Sequence, residues 1–129
     1  MVGDLSQRSA REVLDDHLNI ANNWAGTPSL EELLAEDLRR NVSEDIVILM
    51  SRGTFRGHGG VRELALMLAA ELPEHKAFDY TYVAVEGRVG LLEWTYQDSQ
   101  VQVRDGVDSY LIEDGKIVGQ TIRYTVEPR

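Results

Sequence analysis

The chain has 129 residues, 43% of them apolar and 27% charged, and no cysteine. That length fits one domain with a core of its own, and the lack of thiols excludes disulfides and thiolate metal sites. The formal net charge is −9, and of the 13 Lys and Arg only Arg39 and Arg40 are adjacent. That pattern argues against nucleic acid and anionic membrane as partners, because both are bound by neutralising phosphate.

From Ser6 to Ala25, the residues Val13, Leu14, Leu18, Ile20, Ala21 and Trp24 recur near helical spacing and predict a first helix. Gly26-Thr27-Pro28 stops it, and Ser29 with Glu32 is a capping-box pattern for a second. Leu30, Leu33, Leu34 and Leu38 share a face of that short helix. Residues 45–51 are an apolar run of strand length. Gly53, Gly57, Gly59 and Gly60 surround Phe55 in a segment that reads as a turn, since neither the P-loop nor the dinucleotide spacing is met. Val61, Leu64, Leu66, Met67 and Leu68 form a third helix bounded by Pro73.

The second half reads as strands at 78–86, 89–97, 101–113 and 116–126, separated by Glu86-Gly87, Asp98-Ser99 and Asp114-Gly115. Asp-Gly is a strong hairpin signal, because both central positions of a type I′ turn need positive φ. Alternation places Phe78, Tyr80 and Tyr82 on one face of their strand, and Asp108, Tyr110 and Ile112 on one face of theirs. Three helices with one early strand among them, then a four-strand meander, make an α+β pattern. The expected fold is a single domain, 1–129. In it a cone-shaped, curved mixed sheet wraps the helices of the first half and encloses a pocket. No apolar run reaches the roughly 18 residues of a membrane span. Met1-Val2-Gly3-Asp4 has neither region of a secretory signal, so a cytoplasmic location is expected.

This order of elements resembles the nuclear transport factor 2-like superfamily. It is especially similar to the SnoaL-like branch, with its polyketide cyclases, ketosteroid isomerases and limonene epoxide hydrolases. The local anchors are Ser43-Glu44-Asp45 entering the first strand, Phe55-Arg56-Gly57 before the third helix, Gly106-Val107-Asp108, and Asp114-Gly115-Lys116-Ile117-Val118. Alignment with the ketosteroid isomerases puts Met50 at the position of their general base. Met cannot accept a proton, and neighbouring Ser51 is too weak a base without an activator. The protonated Asp that those enzymes keep in an oxyanion hole falls at Asp108. Their oxyanion Tyr maps between His17 and Asn19, where His17 is the better donor. The Arg and two Asp of the epoxide hydrolases fall near Glu93, Thr95 and Thr125, so that water-activating set is not carried.

The resemblance therefore implies a polar pair, Asp108 and His17, in the pocket. Met50, Trp24, Tyr110, Gln120 and Tyr124 are expected on its wall, the last two sharing a strand face with Ile122. An inward Asp108 would be desolvated and its pKa raised; an outward one would be an ordinary surface carboxylate. His58 and His75, in loop-like segments, are expected to be exposed. No histidines have i, i+4 spacing, and no metal or cofactor is expected. Arg123, on the face opposite Tyr124, is expected to pair with Glu93 across the sheet. The outer sheet face often forms a dimer interface in this fold, which implies a homodimer. Two functions stay open. One is isomerase- or cyclase-type chemistry on a small apolar, possibly cyclic, carbonyl compound. The other is a non-catalytic ligand-binding or dimerisation module.

Overall fold

The computed structural model describes residues 4–22 and 30–129. Helix α1 (Ala10–Asn22) begins where Ser9 and Glu12 form a capping box. Ser9 Oγ accepts from the Glu12 N–H at 3.1 Å, and Glu12 Oε1 accepts from the Ser9 N–H at 3.0 Å. That box outcompetes the earlier start expected at Ser6, which lies in a 3-10 turn, Leu5–Gln7, capped by Asp4. The stop at Gly26-Thr27-Pro28, the cap at Ser29 and the wall residue Trp24 lie outside the described residues. Helix α2 (Leu30–Asn41) carries Glu31 and Glu32 in its first turn and Arg39 and Arg40 in its last, charges that suit the helix dipole. It buries Leu34, Asp37, Leu38 and Asn41.

Strand β1 (Val42–Met50) follows directly. The glycine-rich segment folds as an antiparallel strand β2 (Gly53–Arg56) and then as the first turn of α3 (Gly57–Glu71), which starts four residues before Val61. Gly60 permits this, because a Cβ there would come within 2.9 Å of the Phe55 backbone. Strands β3 (Phe78–Glu86), β4 (Val89–Gln97) and β5 (Val101–Glu113) have the bounds read from their turn signals. Strand β6 (Lys116–Arg123) ends three residues early, and a short β7 (Glu127–Pro128) adds to β5. The sheet order is β2-β1-β6-β5-β4-β3, mixed because β1 and β6 run parallel.

Register shifts at Tyr80/Tyr82, Trp94/Tyr96 and Leu111/Ile112 bend the meander. The first also overturns an expectation. Thr81 is an extra residue opposite β4, so the alternation changes phase there. Tyr80 faces the interior, while Tyr82 is 51% exposed. The three helices fill the concave side, where Val13, Leu14, Ile46, Ile48 and Ile117 are almost fully buried. Burial of each such side chain is worth about 1.5–3 kcal/mol.

Candidate active site

A cavity of about 220 Å³ lies between the concave sheet face and the three helices. Leu33, Leu34, Val61, Leu64, Ala65 and Leu68 give it an apolar wall on α2 and α3. His17, Asp37, Asp108, Tyr110 and Gln120 also line it and are joined by contacts into a polar cluster, and Tyr80 lines it too.

Asp108 faces inward on β5 between β4 and β6, 8% exposed. Trp94 sits opposite Gly106, and a Cβ on that glycine would come within 2.3 Å of the indole ring. The missing side chain lets the indole lie across β5 and donate from Nε1 to Asp108 Oδ1 at 3.0 Å. Gln120 Nε2 and Tyr110 Oη donate to Oδ2 at 3.1 and 3.2 Å. Burial pushes the Asp108 carboxyl above its ordinary range; the three donors and the His17 charge hold it back from rising further.

His17 does not bond Asp108. Its Nδ1 meets Asp37 Oδ2 at 2.8 Å and Oδ1 at 3.0 Å, and its ring stands edge-on to Tyr110 with centroids 5.8 Å apart. A carboxylate only accepts, so Nδ1 carries the proton of the neutral ring and Nε2 presents its lone pair. Among the described residues Nε2 makes no hydrogen bond. Burial disfavours the imidazolium, but the charge and hydrogen bond of Asp37, with Asp108 and Asp16 farther away, outweigh it and leave the His17 pKa raised. The Tyr80 phenol, buried and near both carboxylates, is pushed up to about 12 and stays a neutral donor.

Asp37 is the residue that sequence reasoning missed, together with Asn41, which donates to Asp37 Oδ1 at 2.9 Å. In an acidic helix both read as solvated polar residues. The overlooked signal was position: Leu30, Leu34, Asp37, Leu38 and Asn41 follow helical spacing on one stripe, so two polar groups occupy core positions.

Four of the expected site residues, His17, Asp108, Tyr110 and Gln120, meet at the cavity. Two do not. Met50 lies at the tip of β1, paired with Gly53, and the β1 side chain that lines the cavity is Ile48. Tyr124 follows the end of β6; it packs on Trp94 at 5.4 Å and bonds Glu71 and Arg52, outside the lining. The histidines expected in exposed loops are half-buried: His75 lines the cavity, and His58 Nε2 bonds the Val42 carbonyl at 2.8 Å. Glu93 and Arg123 share a row on the outer face, with Val107 between them, and form no ion pair. Thr125 is held by Asp105, and neither Glu93 nor Thr95 reaches the cavity lining. Among the described residues no group of three or more His, Cys, Asp or Glu is placed to hold a metal ion, and no helix is long and apolar enough to cross a membrane.

Solved structures similar to this chain include a de novo designed protein with a curved β-sheet, at TM-score 0.68 and 16% identity, covering 90% of this chain and 84% of that one. An NTF-2 like protein of unknown function from Burkholderia xenovorans LB400 matches at TM-score 0.64 and 14% identity over 90% and 82%. A candidate ketosteroid isomerase from Kribbella flavida DSM 17836 matches at TM-score 0.65 and 12% identity over 90% and 77%. These likenesses establish the fold, and a fold by itself does not fix an activity. No curated protein matches the chain. The SnoaL-like domain model matches residues 30–120, and the chain therefore belongs to the SnoaL-like domain family of the nuclear transport factor 2-like superfamily.

Proposed function

We propose that the cavity binds a small, mostly apolar molecule with one polar end, a cyclic carbonyl compound for example, and moves a proton on it. His17 Nε2 takes a proton from the carbon next to the carbonyl. The electrons of that C–H bond move toward the carbonyl oxygen, where Asp108, in the protonated form that its burial favours, donates a hydrogen bond or its proton. Return of the proton from His17 to the same or a conjugated carbon, and of the other to Asp108, closes the cycle. The carrying observation is that a His–Asp dyad and a second, buried carboxyl open on one apolar cavity. The base then comes from α1. Neither Met50 nor the inward Ile48 of β1 can take a proton, so the arrangement differs from the one implied by resemblance to the ketosteroid isomerases.

The test is solvent exchange in D₂O. Small cyclic ketones are incubated with the protein, and loss of the α-proton signal is followed by NMR. The reading expects protein-dependent exchange that drops roughly 10²-fold or more in His17→Gln, the usual scale of general-base catalysis, and also falls in Asp108→Asn. Exchange equal to the buffer rate for every ketone would leave the cavity as a binding module. We further propose a homodimer joined through the outer sheet face and a cytoplasmic location. The exposed Leu49, Val89 and Leu111 of that face support the former.

A further inference from the structure

We infer that Asn41 and Arg8 are positioning residues that fix the tautomer of His17 through Asp37, so that its Nε2 lone pair, and not an N–H, faces the cavity. The inference rests on His17 being the base of the proposed reaction.

The Arg8 guanidinium can only donate. Its Nη1 donates to Asn41 Oδ1 at 2.9 Å, which obliges the Asn41 amide to turn its oxygen toward Arg8. Nδ2 then faces Asp37 and donates to Oδ1 at 2.9 Å. Asp37 as carboxylate can only accept, so the atom facing it on His17, Nδ1, must carry a proton. Each group fits its neighbour in one sense only, and the chain Arg8–Asn41–Asp37–His17 ends with the acceptor side of the imidazole free. An amide turned the other way would set its oxygen against a carboxylate and its NH₂ against a guanidinium.

Arg8 is itself immobilised. Nη2 donates to the carbonyls of Arg40 at 2.6 Å and Gly115 at 3.0 Å, and Nε to that of Leu5 at 3.2 Å. Asn41 is 0% exposed and Asp37 8%, so water does not replace these bonds cheaply. The other titratable or charged groups around the dyad are Asp16 on α1, Arg40 on α2, Tyr80 on β3, Asp108 and Tyr110 on β5, and His75 in the 3-10 turn, residues 75–77. None of them bonds Asp37. Asn41 alone joins Asp37 to the cationic end of the chain.

The experiment is ¹⁵N NMR of the His17 ring in the full chain, read from pH 5 to 9 without any ligand. In the wild type above its midpoint, the expected spectrum is that of one neutral tautomer, protonated at Nδ1. A wild type that is a mixture, or protonated at Nε2, overturns the inference, and this reading needs no variant to fold. Asn41→Leu and Arg8→Gln are each expected to lose the single tautomer and to shift the His17 midpoint downward, because burial persists while the Asp37 contact loosens. Asp37→Asn sets the lower limit of that shift, and Asn41→Ser restores part of it. Folded Asn41→Leu and Arg8→Gln variants with wild-type ring shifts and midpoint also overturn the inference. Failure here is separable from failure of the proposed function. Unchanged ring shifts sink the relay alone, whereas undiminished exchange in His17→Gln sinks the base alone.

Discussion

Asp108 illustrates what residue-scale reading delivers. Alternation puts Asp108 on one face of β5 with Tyr110 and Ile112 without saying which face that is, and only the family resemblance implied the pocket side; in the structure it is buried, held by Trp94, Tyr110 and Gln120. Its pKa has a consequence for stability. The carboxyl is raised in the folded protein above its ordinary 3.8, so from that value upward the folded state holds a proton that the unfolded state has lost. Stability then falls as pH rises through the window from 3.8 to the raised value. His17, raised above 6.5, adds stability that is complete below 6.5 and is lost as pH climbs past its folded value. The lowered carboxylates Asp16 and Glu71 work in the opposite sense in acid. The useful quantity is therefore the difference between wild type and Asp108→Asn in urea midpoint. The wild type is expected to lose ground to the variant steadily above about pH 4. A pH-independent difference would mean that Asp108 ionises normally. The partner of His17 was not legible in this way. Nothing in the string of residues says that the acid twenty positions on, within Leu-Ala-Glu-Asp-Leu, turns toward α1 until the two helices are packed.

At the scale of elements, the turn chemistry was the readable part. Gly87 at φ +59 and Asp114-Gly115 at φ 51 and 73 are left-handed where their hairpins require it, and the strands they join meet these turns at the expected residues. The bulges were not readable, because one inserted residue leaves no compositional trace, and Thr81 alone moved Tyr82 outward. Gly115 bears a second constraint, since a Cβ there would run into the Leu5 carbonyl, which Arg8 holds in place. At Gly87 nothing lies within 4 Å of that position. Both substitutions to Ala incur left-handed strain of about 1–2 kcal/mol, and only Gly115→Ala must also displace the N-terminal turn. Urea denaturation should therefore show Gly115→Ala as the more destabilising of the two by at least about 1 kcal/mol. Equal losses would mean that the packing of Leu5 on the hairpin contributes nothing.

The molecule as a whole is a curved sheet with one face committed to the helices and the other open. On the open face Val89 stands opposite Leu111, and Leu49 opposite Thr121, while Glu93, Val107 and Arg123 form a row of acid, apolar and base. A second copy laid antiparallel sets Arg123 of each against Glu93 of the other, which makes the row self-complementary about a two-fold axis. Light scattering is expected to give a dimer at micromolar concentration, and Leu111→Lys a monomer. A wild-type monomer would remove the dimer from the account. The fold was legible because it is written in turns and periodicities that act locally. The site was half legible because the polar residues that complete it, Asp37 and Asn41, reach His17 only after α1 and α2 pack.

The central claim is that the interior accepts a small molecule with an apolar body and one polar end. A space of about 220 Å³ exceeds the roughly 150 Å³ that holds benzene in an engineered core, so a body of one or two rings is the match. The direct measurement is the melting temperature against a panel of cyclic ketones, terpenoid epoxides and polyketide fragments, each beside a hydrocarbon of the same shape. Saturation at a hundredfold excess over Kd is worth about 2.7 kcal/mol, a rise of several degrees. The account predicts such a rise with carbonyl ligands, smaller with the matched hydrocarbons, and diminished in Asp108→Asn. No rise with any of them, in the wild type or the variant, would contradict it.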